Sequence, residues 1–137
     1  MVSTSVVHGM ARFVILLHEL SGQQRGGAHF DFMLEQGAIL RTWALGEKPT
    51  AGREIIAHAL ADHRIDYLEY EGPVSKNRGS VSRWDFGTYE SLVDSQAEII
   101  VQLRGQQLTG TAHLRPAGEK SQPIATEPQR WIFSFSV

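Results

Sequence analysis

The stretch that decides the fold is AHFDFMLE, Ala28 to Glu35, in which the character of the residues alternates with a period of two. Successive side chains of a β-strand point to opposite faces, so one face would carry the apolar residues Phe30, Phe32 and Leu34. The opposite face would carry His29, Asp31 and Met33. The stretch therefore predicts a strand that buries an aromatic face and places an imidazole beside a carboxylate on the other.

Short apolar or alternating runs, separated by glycine and proline, recur along the rest of the chain. They predict further strands at 12–18, 38–45, 67–70, 81–86, 99–104, 108–114 and 131–137. Residues 53–62 are ambiguous between helix and strand, and the sequence YESLVDSQAE predicts a helical turn at 89–98. The spacing predicts a mostly β protein, a compact antiparallel β-barrel with one or two short helices. Closure of the barrel would hide edge strands and leave one open end for chemistry.

Length and composition bound the class of protein. A chain of 137 residues, 42% hydrophobic and 20% charged, is expected to form one domain over 1–137, with residues 1–11 as a flexible N-terminal segment. No apolar run is long enough for a membrane span and no secretory signal is recognisable, so we expect a cytoplasmic protein without membrane association. The lack of cysteine excludes thiolate metal ligands and a cysteine nucleophile. A net charge of −2 argues against indiscriminate coating of nucleic acid, but leaves room for a local basic rim.

Three residues form a candidate metal site. His29 and Asp31 are two positions apart on a predicted strand, roughly 6.5–7 Å between Cα atoms, so both side chains can converge on one ion. His18 ends the preceding predicted strand and could reach the same ion. Two imidazoles and a carboxylate leave open coordination positions suited to manganese, iron or zinc. The plain alternative is an ordinary polar pair on a strand, while His58 and His113 lie in apolar-patterned runs and are expected to be structural.

A resemblance adds to this interpretation. The blocks RFVILLHE, AHFDFMLE, LRTWAL, DHRIDYLEYEG, RWDFGTYE, LTGTAHL and WIF follow an order that resembles the 3′-phosphoesterase domain of bacterial DNA ligase D, over nearly the whole chain from Arg12 to Phe133. The resemblance implies a β-barrel that removes terminal ribonucleosides and 3′-phosphates from nucleic acid with a divalent metal, preferably manganese. The length leads us to expect a stand-alone form of this domain.

The resemblance also implies roles for individual residues. His18, His29 and Asp31 match the metal ligands of the family. His63 and Tyr67 match the histidine and tyrosine that contact the scissile phosphate, and are the candidate catalytic residues.

The sequence departs from the family pattern at the arginines that would bind phosphate. Met33 stands in place of an arginine, and Ile55 falls near the position of a second arginine. A methionine cannot reproduce the bidentate, charge-assisted contacts of a guanidinium. The remaining candidates for binding phosphate or substrate are Arg25, Arg53, Lys48 and Arg78.

The sequence therefore predicts a metal-dependent phosphoesterase that processes DNA or RNA 3′ ends in repair. Its partners would be a nucleic-acid 3′ end or a small phosphoester, with ligase D and Ku-type proteins as further partners by resemblance. A catalytically weakened module that binds such ends, a non-haem iron oxygenase built on the same ligand set, and a purely structural domain remain as alternatives.

Overall fold

The computed structural model describes residues 10–20, 27–76, 78–117 and 129–137. These ranges contain nine strands and one short 3-10 helix, which spans Ile65–Leu68. The strands are β1 (Ala11–Glu19), β2 (Ala28–Gln36), β3 (Ile39–Leu45), β4 (Ile55–Arg64), β5 (Gly72–Pro73), β6 (Ser80–Asp94), β7 (Ile99–Gly105), β8 (Thr109–Pro116) and β9 (Arg130–Ser136). Residues 1–9 of the expected flexible N-terminal segment lie outside the described residues, and β1 begins at Ala11.

Eight of the strands close into an antiparallel barrel in the order β1-β2-β3-β4-β9-β8-β7-β6, with β6 pairing back to β1. The two-residue strand β5 adds to the beginning of β6, where Gly72 pairs with Val81. Closure leaves the barrel without a free edge, because each of its eight strands has a neighbour on both sides. The predicted mostly β fold and antiparallel barrel are confirmed.

Aromatic and aliphatic side chains fill the barrel interior. Phe32 of β2 packs edge-on against Phe133 of β9, with ring centroids 5.2 Å apart. Trp43 and Trp131 meet in the same way at 5.7 Å. Phe13, Ile15 and Leu34 belong to this inner cluster as well, so the aromatic face predicted for residues 28–35 is the face that points into the barrel.

A second apolar cluster lies on the outside of the barrel. The chain leaves β4, crosses the outer face through the 3-10 helix and reaches β5 on the other side. Residues 65–76, which we call the crossover, cover an outer cluster to which they contribute Leu68. The other members of the cluster are Val14, Leu16, Met33, Leu40 and Val81. The middle of β2 is therefore buried on both faces.

Two local predictions were wrong. Residues 67–70 are not a strand, because the crossover turns there, with the Glu69 N–H donating to the Asp66 carbonyl in a 3-10 helix and its turn. Residues 89–94 of the predicted helical turn are instead the end of β6, which pairs with β7 as far as Asp94 despite a register shift between Ser91 and Val93. The ambiguous residues 53–62 lie largely in β4. None of the helices within the described ranges is long and apolar enough to cross a membrane.

A buried carboxylate holds the turn between β7 and β8. Asp85 is fully buried and its two carboxylate oxygens accept four backbone N–H groups, those of Phe86, Gln106, Gln107 and Leu108. Gly105 allows this approach, since a Cβ at that position would lie 2.4 Å from the Asp85 Oδ2. The carboxylate thus satisfies turn donors that would otherwise be buried without acceptors.

Replacing Asp85 with Asn is expected to lower the free energy of unfolding by about 3 kcal/mol, because an amide turns a donor toward these N–H groups. Urea denaturation measures the change. Asp94→Asn is the matched control: it removes one surface ion pair, with Arg41, and should cost no more than about 1 kcal/mol. Equal losses in the two variants would contradict the role given to Asp85.

Candidate metal centre

The pairing of β1 with β2 places two histidines side by side. His18 and His29 are direct partners across the two strands, and Asp31 follows two positions along β2 on the same face. This face carries Leu16 and Met33 of the outer cluster. The three side chains therefore meet on the outer face of the barrel, at the edge of the crossover. The cluster thus lies on the outer face near one end of the barrel and not in the barrel interior.

The three side chains lie within coordination distance of a common point. One ligand atom from each of His18, His29 and Asp31 can be chosen so that all lie within 4.8 Å of one another. The His29 Nε2 lies 3.1 Å from the Asp31 Oδ1, and the His18 Nδ1 lies 3.6 Å from the Asp31 Oδ2. The imidazole rings meet edge to face, with centroids 4.7 Å apart.

Charge complementarity holds the cluster together. The pKa of His18 is raised above its ordinary value chiefly by its contact with Asp31, against the opposing effects of burial and of the nearby positive charge of Arg78. Burial disfavours the charged form of Asp31, but the two adjacent imidazoles outweigh it and leave the pKa of Asp31 below its ordinary value. The lowered pKa favours the ionised form of the Asp31 carboxylate. A cation bound there would compete with a proton on His18.

The residues present fit a divalent cation. The Asp31 side chain is only 6% exposed, and its buried Oδ1 has no hydrogen-bond partner although it lies close to His29. A buried ionised oxygen without a donor is costly unless something positive meets it. Together with two imidazoles it forms a donor set suited to manganese, zinc or iron.

His63 and Tyr67 form a separate pair on the same outer face. The pairing of β3 with β4 contains a bulge, in which Ala61 and Asp62 lie opposite the single residue Arg41. Because β4 has one residue more than β3 at this point, His63 points to the outer face, beside Leu40. The His63 Nδ1 donates to the Ala61 carbonyl at 2.9 Å, which leaves Nε2 free for a ligand. The His63 ring lies 5.8 Å from that of Tyr67.

The register separates this pair from the metal cluster. Asp31 lies opposite Ala44 of β3, whereas His63 lies opposite Leu40, four positions away. The separation is roughly 13 Å along the strands. The structure thus brings the three predicted metal ligands together and places His63, with Tyr67 beside it, as a separate pair further along the outer face.

The predicted phosphate-binding residues lie in different surroundings. Arg78 is nearest to the cluster, and its guanidinium donates to the Ser75 carbonyl and hydroxyl. Arg53 and the exposed Lys48 lie in the loop between β3 and β4, at the end of the barrel where the metal cluster lies. The Arg53 guanidinium is paired with Glu47 at 2.7 Å. Arg25 lies outside the described residues.

The outer face also presents a histidine that the sequence pattern did not assign to the site. Asp31 pairs with Ala44, and Ala44 pairs in turn with His58, which is exposed. Alternation along β4 from the inward-facing Ile55 could have placed His58 on this face.

Comparison with known proteins identifies the family. A family model described as the DNA ligase D 3′-phosphoesterase domain matches residues 21–115. The chain belongs to this family. Similar proteins include the multifunctional non-homologous end joining protein LigD of Pseudomonas aeruginosa, 28% identical over 116 residues that cover 77% of this chain and 13% of that protein. LigD of Mycobacterium bovis is 31% identical over 119 residues, 78% of this chain and 16% of the relative. LigD of Mycolicibacterium smegmatis is 31% identical over 121 residues, which cover 76% of this chain and 15% of that protein. The chain therefore spans only a small part of the length of these relatives.

Met33 and Ile55, which lie at and near the positions where the resemblance implies arginines, are both buried. Met33 is 1% exposed and packs in the outer cluster beneath the crossover, where Tyr67 borders the same cluster. Ile55 is 2% exposed and points into the barrel interior. Neither position can present a side chain to a phosphate without rearrangement of a packed core.

Met33→Arg, which introduces the arginine that the resemblance implies at this position, is expected to lower the free energy of unfolding by about 3 kcal/mol or more, because the guanidinium would displace an apolar side chain from the packed outer cluster. Met33→Leu conserves volume and should cost less than about 1.5 kcal/mol. Urea denaturation of both variants tests this. A Met33→Arg variant as stable as the Met33→Leu control would show that the outer cluster admits a guanidinium.

Replacing Asp31 with Asn should weaken manganese binding by at least roughly 100-fold, because it removes the negative charge between the two imidazoles. Isothermal titration calorimetry with Mn²⁺ measures the affinity, and circular dichroism confirms that the variant is folded. His113→Ala is the control, since that imidazole lies in a surface pair with Glu98 at 2.9 Å. Unchanged affinity in Asp31→Asn would rule out this cluster as the metal site.

Proposed function

We propose that the protein is a metal-dependent phosphoesterase that removes 3′-ribonucleosides or 3′-phosphates from DNA or RNA 3′ ends during repair. The observation that carries the proposal is the cluster of His18, His29 and Asp31 in a member of the 3′-phosphoesterase family. The similar proteins bear names that place them in non-homologous end joining, which supports an end-processing role.

The cluster would hold the cation through the two imidazoles and the Asp31 carboxylate. When bound, a divalent cation supplies Lewis-acid stabilisation of negative charge on a phosphate oxygen. We expect manganese, from the resemblance, with zinc and iron as alternatives compatible with the same donors. Asp31 would also hold both imidazoles in place, since it contacts each of them.

The reaction itself is hydrolysis of a phosphoester. Water adds its oxygen to phosphorus, the ester bond to the leaving oxygen breaks, and the leaving oxygen takes up a proton. His63, with its Nδ1 engaged by the Ala61 carbonyl, would offer Nε2 to a phosphate oxygen or to the leaving oxygen. Tyr67 lies against His63 and would orient the phosphate through its hydroxyl.

Positive charge for the nucleic-acid backbone would come from the loops around the cluster. Arg78 is our first candidate, because its charge is close enough to His18 to oppose protonation of that ring. Lys48 and Arg53 would contact the strand from the loop between β3 and β4, where Arg53 would have to exchange its pairing with Glu47. Arg25 completes the set proposed from the sequence. We propose the nucleic-acid 3′ end as the partner, with ligase D and Ku-type proteins as candidate protein partners.

A second candidate function is favoured by the burial of Met33 and Ile55. Loss of a bidentate contact that stabilises the transition state costs on the order of 3 kcal/mol, or about a hundredfold in rate. A protein with the metal cluster but without these arginines would bind a phosphoester or a nucleic-acid end while cleaving it weakly.

The decisive experiment measures release of phosphate or ribonucleoside from a 3′-modified primer–template in the presence of manganese. We expect activity in the wild type and its loss in His29→Ala, with His113→Ala as the active control. Tyr67→Phe should retain metal binding while slowing turnover, because only the hydroxyl is removed.

The outcomes separate the two candidate functions. Activity that survives in His29→Ala would overturn the proposed phosphoesterase mechanism. An inactive wild type that still binds manganese and the primer–template would instead establish the binding module.

A further inference from the structure

A row of directly paired residues leads from the metal cluster across the outer face of four strands. Its members, in order, are Asp31 of β2, Ala44 of β3, His58 of β4 and Arg130 of β9. Neighbouring strands lie about 4.8 Å apart, so the Cα atoms of Asp31 and His58 are separated by roughly 10 Å. The row thus connects the cluster to two basic side chains that the proposed site does not use.

These two basic side chains project away from the barrel. Ala57 and Trp131, their neighbours in sequence, belong to the inner cluster, so alternation turns His58 and Arg130 outward, and both are exposed. We call this pair the basic strip. An imidazole donates a hydrogen bond even when it is neutral, and a guanidinium remains charged and donates several. The basic strip therefore suits a ligand that is anionic and rich in acceptors.

The surface between the cluster and the basic strip is low. Ala44, which separates Asp31 from His58 in the row, contributes only a methyl group and is half-buried. Gly46 follows the end of β3, and a Cβ added there would meet nothing within 4 Å. An extended chain can therefore lie across β3 with one group at the cluster and later groups at the basic strip.

The charges beside this surface do not oppose an anion. The loop between β3 and β4 contains two glutamates, and each of them is paired with an arginine. Glu47 accepts from Arg53 at 2.7 Å, and Glu54 accepts from Arg115 at 3.2 Å. Because these pairs offset the negative charge of the loop, the positive charge of Arg130 is available to attract a phosphate.

We propose that the basic strip binds the phosphodiester backbone of the nucleic-acid strand whose 3′ end lies at the metal cluster. It supplies phosphate contacts from β4 and β9, which the buried Met33 and Ile55 do not supply. Contacts to phosphate fix the register of a strand without reading its sequence, so the basic strip positions 3′ ends of any sequence. This inference rests on the proposed function, because it takes a 3′ end as the ligand of the cluster.

The test measures binding of a 5′-labelled primer–template that ends in a 3′-hydroxyl, the product of the proposed reaction. Fluorescence anisotropy in the presence of Mn²⁺ should show roughly tenfold weaker binding for Arg130→Gln than for the wild type. The slope of log affinity against log salt should become shallower by roughly 0.7–0.9, because one phosphate contact is lost. His58→Ala should also weaken binding, since it removes a neighbouring donor.

Arg104→Gln is the matched control. Arg104 is an exposed arginine of β7, a strand that pairs with β6 and β8 and with none of the strands of the row. Both arginine variants lose the same charge, so equal affinities in Arg130→Gln and Arg104→Gln would overturn the proposal. His58→Ala should keep the wild-type affinity for Mn²⁺ in calorimetry. A loss of metal affinity would make His58 part of the cluster and would also overturn the basic strip.

Activity measurements distinguish this proposal from the proposed function. An active wild type whose binding is unchanged by Arg130→Gln overturns the basic strip and leaves the phosphoesterase standing. An inactive wild type that binds the primer–template, with weaker binding in Arg130→Gln than in Arg104→Gln, upholds the basic strip while refuting the phosphoesterase.

Discussion

Strand β2 is covered on both faces, and the rest of the structure depends on this constraint. Four consecutive residues from Asp31 to Leu34 are at most 4% exposed, with Phe32 and Leu34 inside the barrel and Asp31 and Met33 beneath or beside the crossover. Such a strand must be apolar or compensated at every position. Asp31 is the one ionisable residue among the four, and the two imidazoles that surround it supply the compensation. The metal cluster is where the buried strand meets this requirement.

The same constraint explains why a thioether follows the His-Asp pair. Met33 lies two positions after Asp31 on the same face of β2, beneath the crossover, where it packs among Leu16, Leu40 and Leu68. A flexible apolar side chain fills such an irregular gap well. A guanidinium there would need a phosphate or a carboxylate to offset its desolvation. The packing that fixes the crossover over β2 therefore leaves an apolar position here, not one suited to a guanidinium that binds phosphate. In the proposed function, positive charge would reach a phosphate from the loops around the cluster.

Much of the surface around the cluster comes from one segment of the chain, the connection between β4 and β6. The chain between β4 and β6 carries Tyr67 on its way across the outer face and Arg78 at its far end. Its apolar residues pack on the outer cluster, and its last turn contacts His18. The same connection covers β2 and contacts His18, one of the candidate metal ligands. A change in the packing of the crossover should therefore alter the position of His18. The barrel strands β1 and β2 hold the three residues of the cluster, and the connection between β4 and β6 supplies the residues around them.

The sequence by itself determined the alternation of residues 28–35, and hence which side chains enter the barrel and which meet His18. It also indicated His18, His29 and Asp31 as a candidate ligand set, since two imidazoles and a carboxylate at this spacing need only a strand and its neighbour to meet. It could not decide the end of β6, because β7, not local propensity, holds residues 89–94 extended. Nor could it decide the face of His63, which an inserted residue in β4 reverses, or the burial of Met33, whose cover lies more than thirty positions later. Only the tertiary structure decided these, because each depends on partners remote in sequence rather than on the residue's own neighbours.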